Sequence, residues 1–117
     1  MIDYRKLAPD LFEFSVRGSI TRADIDGIWS RFEPDVPHDG KVRVLEIIEP
    51  IEGMAPSAIW EDFRRGWPFI NRVSRAAIVT DQRWVSAFVN VAKVFVPGEM
   101  KVFSMADIDA ARRWLEI

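Results

Sequence analysis

The chain has 117 residues, 49% apolar and 29% charged, a composition that builds one packed core and excludes a disordered chain, a collagen or a coiled coil. Sixteen Lys and Arg against eighteen Asp and Glu leave a formal charge of -2, so no overall field draws in nucleic acid or an anionic membrane. The lack of cysteine excludes disulfides and thiol chemistry, and a lone histidine gives little support to a multi-histidine zinc site or a Ser-His relay.

Residues Leu11 to Arg17 alternate, with Phe12, Phe14 and Val16 on one side, the period-two pattern of a half-buried strand. Met1 to Leu7 is expected to pair beside it as an edge strand. Beyond Gly18, Thr21 and Asp24 form a capping box for a helix carrying Ile25, Ile28, Trp29 and Phe32 at i, i+3, i+4 and i+7. Glu33 to Gly40 reads as a surface loop that holds His38, and Val42 to Ile48 as a central parallel strand covered on both faces, with Glu46 its one polar interruption. Pro50 to Pro56 reads as a loop.

A second helix is expected with Ser57 as its N-cap, a core arc of Ile59, Phe63, Gly66, Trp67 and Ile70, and a stop or kink at Pro68. Arg75 to Thr80 is the next strand. Asp81 caps a third helix through about Phe95, Lys101 to Phe103 makes the last strand, and Ser104 with Asp107 opens a final helix facing inward through Ile108, Ala111 and Leu115. The order predicts one α/β domain over 1–117, a small, mostly parallel mixed sheet flanked by four helices. Its predicted core includes Phe14, Val16, Ile25, Trp29, Leu45, Ile47, Phe63, Ile78, Val79, Phe88, Phe103, Ile108 and Leu115. No apolar h-region opens the chain and no apolar run approaches the roughly 20 residues of a spanning helix, so a cytoplasmic protein is expected.

Phe14 to Gly18 with Thr21 and Asp24, Val42 to Ile48, Trp60-Glu61-Asp62, and Arg75 to Thr80 followed by Asp81 and Trp84 together resemble the SpoIIAA-like proteins of the STAS/SEC14 type. The resemblance implies a β-α superhelix, kinship with anti-sigma factor antagonists and a link to domains that carry lipids or other apolar ligands. In those antagonists a serine at the start of the helix after the central strand is phosphorylated within an Asp-Ser-Ser-Gly-like turn. Here Gly53-Met54-Ala55-Pro56-Ser57-Ala58 stands at that turn: Ser57 is its only hydroxyl, and the preceding Asp and following Ser-Gly are missing. A phosphate on Ser57 would sit at a helix N-terminus, where free N–H groups and the dipole favour it.

The carboxyl ends of the parallel strands place Glu49 to Ser57, Thr80 to Trp84 and Ser104 to Asp107 along one rim. Trp60, Arg64 and Trp67 border the second helix as a ligand wall or interaction anchor, the alternative being that both rings are core edges. In the third helix the apolar residues from Trp84 to Val96 sweep about 220 degrees, far more than docking requires, which points to loop burial, a ligand, a membrane or a homodimer through Trp84 to Phe95. On that reading Val89→Lys leaves the fold intact and weakens the complex. Glu46, Glu49, Glu52 and Asp81 offer a carboxylate or metal cluster, with solvation or pairing to Arg43 and Arg75 as the plainer reading. Six isolated glycines make no phosphate loop or dinucleotide fingerprint.

The expected function is a non-enzymatic STAS-like regulatory binding module for a protein partner, without a catalytic residue, metal or cofactor. Its binding residues are Ser57, Trp60, Arg64, Trp67 and Trp84, with Ser57 also the phosphorylation site. The alternative is a carrier or sensor of a small apolar ligand or lipid, and behind it a carboxylate or metal enzyme.

Overall fold

The computed structural model describes residues 1–116. Strand β1 (Ile2–Ala8) pairs antiparallel with β2 (Leu11–Ile20), and β3 (Val42–Met54), β4 (Val73–Val79) and β5 (Glu99–Phe103) follow in parallel, giving a five-stranded mixed sheet in the order β1-β2-β3-β4-β5. Helices α1 (Arg22–Phe32), α2 (Pro56–Gly66) and α3 (Arg83–Ala92) are the crossovers between successive parallel strands, and α4 (Ile108–Glu116) follows β5. Because the strand order never reverses and such crossovers share one hand, α1, α2 and α3 lie in one layer. Helix α4 covers the other face.

The alternation of β2 and β3 sorts the residues between those faces. Leu45, Ile47, Ala77 and Val79 pack against Ala111 and Leu115 of α4, with Leu11, Phe103 and Ile108 around them. On the opposite face Tyr4, Phe12 and Val42 pack against Ile28 and Phe32 of α1, while Ala76 and Ile78 pack against Val85 and Val89 of α3. Arginines tie α4 to the sheet. Arg43 and Arg75 donate to the carbonyls of Leu115 and Trp114 at its last turn, and Arg112 reaches the buried carboxylate of Glu13 at 2.7 Å. The expected pairing of these arginines with Glu46 and Glu49 is thereby corrected: Arg43 meets Asp10 and Arg75 meets Glu99, each at 2.9 Å.

The capping box at Thr21 is formed, with the Asp24 N–H donating to Thr21 Oγ1 and the Thr21 N–H to Asp24 Oδ2. Other boundaries differ from expectation for local reasons. Strand β3 runs on to Met54 where a loop is expected, because Pro50, which has no N–H to give, falls at a bulge between the pairs Val16↔Ile48 and Gly18↔Ile51. Pro56 takes the first helical position of α2 and Ala55 the N-cap, so Ser57 lies one residue inside and caps nothing. Gln82, not Asp81, precedes α3, since the Asp81 carboxylate accepts from the Met105 N–H instead. Helix α3 ends at Ala92 and a 3-10 turn carries Lys93–Phe95. Gly98 enters β5 so close to β4 that a Cβ there would overlap the carbonyl oxygen of Val73.

The largest correction concerns α2. Ile59, Phe63 and Trp67, expected in the core, are exposed, because α2 packs on α1 through Ala58 and Glu61 rather than on the sheet through its apolar arc. In α3 Phe88, also expected in the core, is exposed, whereas Val89 is buried against Ala76 and Ile78. Val89→Lys therefore attacks the fold, not the surface.

Candidate functional site

Glu61 anchors α2 away from the sheet. Its buried carboxylate accepts from Arg64 and Arg65 of its own helix and pairs with Arg22 of α1 at 2.9 Å. Burial pushes this carboxyl up, but the hydrogen bonds from Arg65 and Arg64 and the charge of Arg22 outweigh it and hold it below the usual range. Asp62 adds a second tie by accepting from the Trp29 indole N–H at 3.0 Å. With Ala58, Glu61 and Arg65 turned to α1, the 100 degree step per residue carries Ile59, Phe63 and Trp67 round to the side nearer α3.

The same geometry fixes α3. Val85 and Val89 face the sheet, so in a right-handed crossover Trp84, Phe88 and Val91 fall on the flank towards α2, and Ser86, Asn90 and Lys93 on the flank towards the β5 edge. Phe88 is 67% exposed and Phe63 56%, so the apolar flanks of both helices stand open to solvent. Val44, Glu46 and Ile48 of β3 lie on the sheet face under this helix layer, Ile48 packed against the cluster of Val85 and Val89. They are half-buried, while Leu45 and Ile47 on the reverse of the same strand are buried under α4. Burial, aided by the charge of Asp62, pushes the Glu46 carboxyl up to about 7. Burial raises Asp62 as well, opposed by the bond from Trp29.

The five expected binding residues divide between the two helices. Ser57, Trp60 and Arg64 share the outer side of α2 and are exposed, and Trp60 stacks on Phe63 at 6.2 Å, which meets Trp67 at 5.4 Å. Trp84 stands apart, on α3. Sequence reading missed Ile59, Phe63 and Phe88 as surface residues. The wide apolar sweep of α3 signals that some of its residues lie outside the core, and the Glu61, Arg64, Arg65 spacing on α2 is the trace of the ion cluster that turns this helix.

The rim is braced rather than vacant. Gln82 donates through Nε2 to the carbonyls of Ile48 and Glu49 and accepts from the Ile51 N–H, joining the end of β3 to the start of α3. A shallow hollow lined by Arg17, Gly18, Ser19, Glu49, Pro50 and Glu52 lies beside it, with Arg17 and Glu49 3.8 Å apart. Glu46, Glu49, Glu52 and Asp81 do not converge: no group of three or more His, Asp or Glu side chains suited to a metal occurs among the described residues. His38 is exposed in the loop after α1, where Arg72 donates to the carbonyls of Pro37 and Gly40.

Comparison with solved structures supports the same architecture. An uncharacterised protein of the DUF3478 family from Shewanella loihica PV-4, with a SpoIIAA-like fold, superposes with a TM-score of 0.82 at 24% identity, over 98% of this chain and 92% of the other. The anti-sigma factor antagonist SpoIIAA in its unphosphorylated form superposes with a TM-score of 0.64 at 12% identity, over 100% of both chains. No protein of curated function matches. The SpoIIAA-like family model matches residues 11–116, and the chain belongs to that family.

Proposed function

We propose that this chain is a non-enzymatic regulatory module that acts by binding a protein partner. One observation carries the reading: Trp60, Phe63, Trp67, Trp84 and Phe88, on two neighbouring helices, are all more than half exposed, a concentration of large apolar side chains that marks an interaction surface. Ser57, Trp60, Arg64, Trp67 and Trp84 are the proposed contact residues. Ser57 is exposed in the first turn of α2, and phosphorylation there would place about two negative charges beside Trp60 and Arg64, switching which partner the surface accepts. A cytoplasmic location belongs to this reading; among the described residues no helix is long and apolar enough to cross a membrane.

The second reading, a carrier or sensor of a small apolar ligand, is favoured by the exposed apolar flanks of α2 and α3 above the partly buried Val44 and Glu46. Native mass spectrometry of the purified protein separates the two. A stoichiometric protein complex or a homodimer through α3 supports the first reading, a retained lipid-sized mass supports the second, and a bare monomer at high concentration counts against both.

A further inference from the structure

Charge rather than apolar area holds α2 to α1. Of the apolar side chains of α2, Ala58 alone is buried, against Ile20 and Ile25, and Asp62 adds its bond from the Trp29 indole. Ile59, Trp60 and Phe63 are more than half exposed and give no hold. The remaining attachment is the carboxylate of Glu61, which is only 2% exposed and whose two oxygens are divided among three arginines. Arg22 of α1 meets Oε2 at 2.9 Å, Arg65 meets Oε1 at 3.0 Å, and Arg64 shares Oε1.

The three arginines are not equivalent. Arg65 is largely covered and also reaches Asp26 at 3.2 Å and Glu33 at 3.4 Å, which locks it into the interface. Arg22 and Arg64 are 61% and 55% exposed; Arg22 has Asp26 as a second, looser partner at 3.7 Å, and Arg64 pairs with no other carboxylate among the described residues. These two guanidinium groups grip opposite oxygens of one carboxylate and stay open to solvent. A phosphate group brings more charge and more acceptor oxygens than a carboxylate, so it competes for such a pair. Glu61, fixed on its helix and buried, is then short of partners, a costly state that the small apolar contact of α2 does little to resist. The sheet and α4 are held by an apolar cluster that shares no residue with this interface. We infer that the Glu61 cluster is a latch: a phosphate group that takes up Arg22 and Arg64 frees α2 from α1 while the sheet and α4 stay folded. The latch goes beyond the regulatory-module reading and does not depend on a protein partner.

Hydrogen exchange of the whole chain, followed by mass spectrometry, reads α2 separately from the sheet. In sodium pyrophosphate the amides of α2 are expected to exchange about fivefold faster or more than in sodium chloride of the same ionic strength, with those of β3, β4 and α4 unchanged. Glu61→Gln should produce a similar acceleration in chloride alone. Should that variant fail to fold, the exposed pair Arg22→Gln with Arg64→Gln takes its place: α2 should exchange faster in chloride, and pyrophosphate should add nothing. Exchange of α2 that pyrophosphate or the substitutions leave unchanged overturns the latch. So does acceleration of β3 and α4 together with α2, which would make α2 part of one cooperative unit, and so does a response to pyrophosphate that survives in the double arginine variant, which would place the anion elsewhere.

Discussion

The two faces of the sheet are built from the same strands and solve different problems. On the α4 face every inward position of β3 and β4 meets a helix, and Leu45, Ile47, Ala77 and Val79 are buried without a polar atom among their side chains. On the other face three helices cover the sheet, yet Val44, Glu46 and Ile48 are only partly buried, with α2 drawn to α1 by Ala58 and the Glu61 ion cluster. Both faces hold buried clusters. The second leaves its middle strand less fully covered and keeps a row of aromatic side chains exposed.

Truncation on either side is the strongest way to break this comparison. Leu45→Ala should lower the unfolding free energy by about 3 kcal/mol, within the range of buried leucine truncations, while Phe63→Ala should change it by less than about 0.5 kcal/mol. Urea unfolding of both variants checks the pair, and a comparable loss in each would show that the α2 arc is packed after all. Adjacent residues of α3 sharpen the contrast: Val89→Lys buries an unpaired ammonium and should cost several kcal/mol, about 3 or more, whereas Phe88→Lys should leave the melting curve near that of the parent.

Most of the α4 face was legible in the sequence because local pattern and tertiary role agree there: alternation in β2 and β3 and the inward Ala111 and Leu115 follow from rules acting within a few residues, as do the Thr21 to Asp24 cap and the stop near Pro68 in the other helix layer. The second face depends on contacts that periodicity does not carry. An apolar arc on α2 announces a buried side, but which side docks is settled by Arg22, 39 residues before Glu61, and by the small Ala58 fitting against Ile20 and Ile25. Ser57 fails as a cap for a shorter-range reason: Pro56 claims the first helical position and moves the N-cap to Ala55. Of the candidate site, the residue types were legible and their exposure was not.

Glu46, on the sheet face under the helix layer, predicts a pH dependence. Glu46 is held protonated up to about 7 by burial and by the charge of Asp62, so the native state binds a proton that the unfolded chain releases near the ordinary glutamate value of 4.5. Its contribution to stability is complete below about pH 4.5 and is lost as the pH rises to about 7, after which it changes no further. Glu46→Gln should remove this contribution to the slope. At pH 8 the variant should exceed the parent by on the order of 2 kcal/mol, less than the full shift implies because Glu46 is partly open to water, and near pH 4 the two should converge. Urea unfolding at the two pH values measures the difference, and equal gaps at both would show that the carboxyl titrates normally.

The smallest contrast lies between the starts of α1 and α2. Thr21 Oγ1 accepts from the Asp24 N–H and the Thr21 N–H donates to the Asp24 carboxylate, so Thr21→Ala should cost about 1 kcal/mol. Ser57 stands at the comparable end of α2 but makes no cap bond, and Pro56 already supplies a first residue with no N–H to satisfy. Ser57→Ala should therefore shift the unfolding free energy by less than about 0.5 kcal/mol, leaving the hydroxyl without a structural task in the helix. A phosphomimetic Ser57→Asp, within the first turn and near the positive end of the helix dipole, should hold or slightly raise the melting temperature, because the carboxylate faces free N–H groups. Thermal unfolding of the three variants distinguishes the roles: a loss at Ser57→Ala as large as that at Thr21→Ala would make Ser57 a structural cap, and stability kept by both Ser57 variants leaves that position free to change charge without disturbing the fold.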